Sequence, residues 1–150
     1  MNKSTNSLSF PDVNVWMAVS LEHHVHRPAA RTWWETVEGP IAFTRFTQIG
    51  LLRLLTTPAA MDGKPLSIDD AWHVYDGLFG DDRVAFYAEP AGVEARFREY
   101  AAGRVASPKL WADSWLLAFA QAAGGTLITF DRALARRGAH CLLAAPPEDA

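Results

Sequence analysis

Apolar and polar positions fall in short blocks along the chain, and the blocks switch between a period of two and a period near 3.6. Strand-like runs stand at Leu8–Phe10, Ile41–Thr44, Val84–Tyr87 and Thr126–Phe130, with a last short one at His140–Leu143. Pro11, which has no N–H to give, is expected to end the ladder of the first strand. Helices are predicted over Val13–Leu21, Arg27–Val37, Phe46–Leu55, Ile68–Phe79 and Gly92–Ala102. In the third of these, Ile49, Leu52 and Leu55 share one face, and in the fifth Val93, Phe97 and Tyr100 do. Gly39-Pro40 and Pro58 stop helices, and Ser67 with Asp70 reads as a capping-box variant. A further helix reaches Ala123, with Ser107 as its N-cap, Pro108 at its first position and Gly124-Gly125 as its stop. Strands that alternate with helices imply an α/β domain, its mainly parallel sheet covered by helices on both faces.

Length and composition agree with that picture. At 150 residues the chain suits one domain over residues 1–150, with loosely held ends at about 1–7 and 146–150. An apolar share of 49% against 21% charged residues describes a globule and not a disordered tail. The single cysteine, Cys141, excludes an internal disulfide framework and fits a reducing cytoplasm; it reads as an inert core thiol. No run reaches the roughly 20 apolar residues of a membrane span.

Three aspartates carry the candidate chemistry. Asp12 follows the first strand, Asp131 follows the strand Thr126–Phe130, and Asp113 falls early in a helix. In an open parallel sheet the strand ends and helix starts share one edge, where sites form. Carboxylates gathered there repel one another unless a cation joins them, and Mg²⁺ takes hard oxygen ligands while keeping its own waters. A metal-dependent phosphoryl-transfer site is therefore expected. The net charge of −3 weighs against nucleic acid, but local basic patches, not net charge, do such binding. Arg45 and Arg53, the group Arg96, Arg98, Arg104 and Lys109, and the group Arg132, Arg136 and Arg137 stand near the acids, although each arginine taken singly reads first as part of a solvated helix face.

Four segments in this order resemble the PIN domain, and within it the VapC-type toxin ribonucleases of toxin–antitoxin modules. They are Asp12-Val13-Asn14, the stretch from Phe43 to Pro58, the stretch from Asp113 to Ala120, and Gly124-Gly-Thr-Leu-Ile-Thr-Phe-Asp131. The resemblance implies a three-layer α/β/α sandwich and an endoribonuclease dependent on Mg²⁺ or Mn²⁺, acting on RNA such as tRNA or rRNA. It also implies a homodimer silenced by a VapB-type antitoxin, often through an arginine placed in the acidic pocket. Asp12, Asp113 and Asp131 would be the catalytic metal ligands, supported by Asn14 and Thr129. Arg45 and Arg132 are the basic side chains assigned to the RNA.

The chain departs from the family at one place. A glutamate is usual three residues after the threonine of the second motif, and counting from Thr47 that position is Gly50. Gln48 is the nearest polar side chain and joins the supporting set, although its amide brings no charge. Gly50 motivates an alternative, a catalytically weakened or inactive PIN-like protein that only binds RNA or its antitoxin. A phosphatase of the haloacid-dehalogenase type ranks lower, since Asn14 stands where that family needs a second aspartate. His23, His24 and His26 lack zinc-ligand spacing and suit a loop or helix end, while His73 and His140 read as structural. Most of the six tryptophans are expected in the core or at an interface.

Overall fold

Five strands, β1 (Ser9–Pro11), β2 (Ile41–Phe43), β3 (Val84–Phe86), β4 (Thr126–Thr129) and β5 (His140–Cys141), lie parallel in the order β3-β2-β1-β4-β5. They belong to a computed structural model that describes residues 7–144. The expected loose ends fall outside the described residues, apart from Ser7, which is exposed. Among the described residues seven helices connect and cover the strands: α1 (Val13–Ser20), α2 (Arg27–Thr36), α3 (Arg45–Leu55), α4 (Ile68–Leu78), α5 (Val93–Ala101), α6 (Leu110–Ala122) and α7 (Arg132–Arg136). None of the described helices is long and apolar enough to cross a membrane.

Alternation along the strands builds two cores. Ile41 and Phe43 point to one face, where they meet Trp16 of α1, Leu51 and Leu55 of α3, and Ala71 and Tyr75 of α4. Ala42 between them points to the other face and joins Phe10, Leu117, Phe119 and Leu127. The result is three layers, helix on sheet on helix, as the alternating pattern predicts. The Trp16 ring stacks on Phe43 at 3.7 Å between centroids.

Several boundaries and faces differ from the sequence reading. The ladder does not end at Pro11, which pairs in register with Ile128, and Asp12 N–H then donates to Ile128 O at 2.9 Å. Pro11 costs no bond because alternate N–H groups face alternate neighbours. Ser9 N–H points toward β2, as that of residue 11 would, and β1 pairs with β2 only at Ser9↔Ile41. Ser107 and Pro108 lie outside α6; a turn from Leu110 N–H to Ser107 O precedes the helix, and Lys109 is its N-cap. On α3 the expected face holds in part: Ile49 is 57% exposed, and the fully buried residues are Leu55, as expected, and Leu51, which was not. Each of those two contributes about 1.5–3 kcal/mol of burial.

The stop at Gly124-Gly125 holds. Gly124 takes φ 75°, and Gly125 N–H reaches back to Ala120 O at 2.8 Å. A Cβ on Gly125 would lie 2.6 Å from Leu8 O, so the start of β4 can approach β1 only without a side chain there. A 3₁₀ turn at Pro58–Met61 and the short α7 were not anticipated. His73 and His140 are exposed and not structural, and Cys141 is half-buried instead of sitting in the core. Trp16 is buried, whereas Trp72 and Trp111 are 43% and 60% exposed.

Candidate active site

The order of the strands creates the site. From β1 the chain runs outward through β2 and β3, then returns to lay β4 on the opposite side of β1. The C-terminal edge of β1 and β4 is therefore the point where the connections diverge, leaving a crevice between them. Asp12 leaves the end of β1 and caps α1, its Oδ1 accepting from Val15 N–H at 3.1 Å. Asp131 leaves the end of β4 and caps α7, its Oδ1 accepting from Ala133 N–H at 2.8 Å. Thr129, fully buried on β4, joins them: its hydroxyl donates to Asp12 Oδ2 at 2.5 Å and accepts from Asp131 N–H at 3.0 Å.

Asp113 comes from the opposite side, in the first turn of α6. Its carboxylate accepts no hydrogen bond among the described residues. All three aspartates line one cleft of about 360 Å³, together with Asn14, Thr129, Phe46, Arg53, Leu54 and Lys109. Lys109 reaches across to Asp131 Oδ2 with its Nζ at 2.6 Å.

Burial sets the charge state of this cleft. The Asp12 carboxyl, 9% exposed, is pushed upward chiefly by desolvation and further by the charges of Asp113 and Asp131. The bonds from Thr129 and Val15 act against that rise. Asp113 is also pushed up, first by burial and then by Asp131, with Lys109 and Arg137 opposing. Asp131 goes the other way, held below the ordinary carboxylate range mainly by the Lys109 ammonium. The pair of desolvated carboxylates facing a salt-bridged third is short of positive charge.

The other residues singled out in the sequence divide. Asn14 is exposed at the rim of the cleft, and Thr129 lies beneath it. Gln48 does not join the acids: it is buried where its amide oxygen accepts from Arg45, beside Tyr75. Arg45 stacks its guanidinium on Phe86, 4.7 Å from the ring centroid, and lines a neighbouring groove. Arg132 turns to Ala144 O at 2.9 Å. Of the basic residues singled out near the acids, Lys109 and Arg53 reach the cleft, although neither was given a role in the site. Lys109 stands four residues before Asp113, and that spacing on one helix face could have revealed it. Arg53 follows Phe46 by two turns of α3, so both meet the same space. His24 and His26 form a loop pair against Phe130, with His24 Nδ1 accepting from His26 N–H, and no zinc cluster.

Gly50 has a physical reason. A Cβ there would stand 2.5 Å from Val13 Cγ2, because α3 and α1 cross with their backbones close together. A glutamate at this position has no room in the present packing.

The oxygen donors of the cleft, three carboxylates, the Thr129 hydroxyl and the Asn14 amide, suit a hard divalent cation. As placed, no three acidic, histidine or cysteine side chains among the described residues converge on one ion. Mg²⁺ does not demand that, since it commonly binds through one or two carboxylates and fills its shell with water and phosphate. Asp113, desolvated and without a hydrogen-bond donor, and Asp12 are the pair such an ion would relieve.

The PIN domain family model matches residues 9–139. Ribonuclease VapC41 of Mycobacterium tuberculosis is 41% identical over 133 residues, which span 85% of this chain and 91% of that protein. Among solved structures, VapC20 of Mycobacterium tuberculosis, a sarcin-ricin loop cleaving toxin, matches with TM-score 0.61 at 14% identity. That match covers 87% of this chain and 95% of the other. VapBC2 of Rickettsia felis, bound to a DNA fragment from its promoter, matches with TM-score 0.55 at 12% identity, covering 86% and 92%. These two likenesses speak for the shared fold, and the sequence match speaks for kinship: the chain belongs to the PIN domain family.

Proposed function

We propose that this protein is a VapC-type endoribonuclease toxin that hydrolyses RNA phosphodiester bonds with the help of Mg²⁺ or Mn²⁺. One observation carries the reading: Asp12 and Asp131, 119 residues apart in sequence, share the hydroxyl of Thr129 and line a single cleft with Asp113. The similarity to Ribonuclease VapC41 supports the same substrate class. Asp12 and Asp113 would hold the cation, with Asp131 joining directly or through water and Asn14 at the rim. A bound divalent cation lowers the pKa of water and neutralises phosphate charge. Thr129 fixes the rotamer of Asp12 and the backbone of Asp131, so the acids are set before substrate arrives. Water is the nucleophile and the 3′ oxygen leaves, so the RNA 2′-hydroxyl serves recognition alone.

The protein works in the cytoplasm as a homodimer, silenced by a VapB-type antitoxin. The VapBC2 match supports such a partner. An antitoxin arginine can bind carboxylates bidentately and fill the space of the cation. Co-expression with the adjacent small gene should relieve growth arrest and yield a co-purifying complex.

A second reading, RNA or antitoxin binding without cleavage, draws on Gly50 and on the lysine already paired with Asp131. Purified protein incubated with single-stranded RNA separates the two. Cleavage with Mn²⁺ that stops in EDTA and in Asp12→Asn supports the nuclease. Binding without cleavage under all conditions would leave only the silent reading.

A further inference from the structure

Two guanidinium groups are anchored on one backbone carbonyl beside the acidic cleft. Arg104, in the segment after α5, donates from Nε to Tyr100 O at 3.2 Å. Arg137, just past α7, donates from Nη2 to the same oxygen at 2.8 Å and to Ser114 Oγ at 3.0 Å. Neither arginine forms an ion pair among the described residues, and the buried Nε of Arg137 has no acceptor. Both line a pocket of about 370 Å³ with Ser107 and Asp113. That pocket shares Asp113 and Leu134 with the acidic cleft, so the two cavities meet at Asp113.

Holding two like charges side by side at a partly buried site costs stability, and burial and then Arg104 both push the Arg137 guanidinium down. Asp113 offers opposite charge, but it hydrogen-bonds to neither arginine and is shared with the acidic side. Both terminal nitrogens of Arg104 and the Nη1 of Arg137 donate no hydrogen bond among the described residues, and both side chains line the cavity. A tetrahedral oxyanion matches such donors, because guanidinium forks take phosphate oxygens in pairs.

We infer that this pocket is a phosphate subsite, in which Arg104, Arg137 and the Ser107 hydroxyl hold a phosphate of the RNA strand neighbouring the one at the aspartates. The inference rests on the ribonuclease reading. Phosphate contacts position a strand without reading its bases, so the subsite would decide which bond lies over Asp12 and Asp113. It also gives a protein of net charge −3 a local basic seat for a polyanion.

The test is the salt dependence of binding to a labelled single-stranded oligoribonucleotide, in Ca²⁺, with its intactness checked on a gel. Arg104 is exposed, so Arg104→Gln leaves the core untouched. It should bind about five-fold more weakly at 0.1 M salt, with the log–log slope reduced by about 0.7, the value of one lost phosphate contact. Arg104→Lys should recover part of the slope, and Lys64→Gln, in the exposed turn before α4, should match the wild type. Equal slopes in wild type and Arg104→Gln overturn the subsite while leaving the ribonuclease reading in place. Absence of any RNA binding by the wild type overturns both. A third arm adds inorganic phosphate at matched ionic strength to thermal melts. A phosphate-induced rise lost in Arg104→Gln, together with unchanged RNA slopes, would assign the pocket to free phosphate and overturn the strand subsite.

Discussion

The Lys109 ammonium lies 2.6 Å from the Asp131 carboxylate and feels the charges of Asp113 and Asp12 as well. Lysine here supplies, on a flexible stem, part of the positive charge that a bound cation would bring. The pair is partly exposed, 68% for Lys109 and 27% for Asp131, which limits its worth to stability to about 1 kcal/mol or less. Lys109→Met should therefore cost little in the metal-free protein and should enlarge the rise in melting temperature on adding Mn²⁺. Melts in EDTA and in Mn²⁺ measure both, and an equal metal shift in the two proteins would show that Lys109 does not compete.

Asp113→Asn removes a desolvated carboxylate with no hydrogen-bond donor. It should leave the metal-free protein equally or more stable, by up to about 1 kcal/mol, abolish cleavage, and reduce the Mn²⁺ shift. The sign with pH follows from the direction of the shift. The folded-state pKa of Asp113 is raised above its ordinary 3.8, so its charge destabilises the fold above that folded-state value. The advantage of the Asn variant should be full at neutral pH, shrink as pH falls through the folded pKa, and vanish below about 3.8. An advantage that persists in acid would mean that packing, and not charge, separates the two proteins.

Asp131 contributes with the opposite sign. Its pKa is depressed by Lys109, so its stabilisation is present above 3.8 and is lost as pH falls through the lower folded value. Asp131→Asn should accordingly lower the melting temperature at pH 7 and have little effect near pH 2. Denaturation followed at both values checks it.

Thr129→Val keeps the shape of the side chain and deletes the hydroxyl between Asp12 and Asp131. A buried carboxylate oxygen and a backbone N–H both lose a partner, which should cost about 1–3 kcal/mol. Loss of the group that orients a ligand should lower activity by about 10–100-fold. Thr129→Ser should restore most of both, and failure of serine to do so would indicate that the methyl group, not the hydroxyl, matters.

Gly50→Ala should destabilise by about 1–3 kcal/mol through overpacking against Val13. Val13 is β-branched and stiff in a helix, so it cannot easily turn aside. In a Val13→Ala background the same change should be tolerated. A double-mutant cycle of thermal melts would expose the coupling, and additive effects would rule out the contact.

Much of this fold is local information. The alternation of Ile41, Ala42 and Phe43 across two faces, and the stop at Gly124-Gly125, follow from backbone geometry that a few residues determine. Asp12 and Asp131 were legible because each directly follows a strand-like apolar run. What escaped the sequence is what depends on packing between distant elements. Ile49 and Leu51 are equally apolar, and only the crossing of α3 over α1 decides which is buried. Gln48 looked available until Tyr75 and Arg45 claimed it, and Arg45 itself turned toward Phe86. The bond between Lys109 and Asp131 was hidden because the two stand 22 residues apart on different elements.

The adjacency of β1 and β4 has a consequence for the order of events during synthesis. Ser9 pairs with Thr126, so the central strand stays open on one side until almost the entire sheet has been made. A nascent chain that already carries Asp12 lacks the hydroxyl of Thr129, the carboxylates of Asp113 and Asp131, and the strand that aligns them. Long-range pairing of this kind forms late and slowly. On the proposed reading, a ribosome making this chain is thereby separated from nuclease activity by the topology of the sheet itself, and an antitoxin would need to guard only finished molecules.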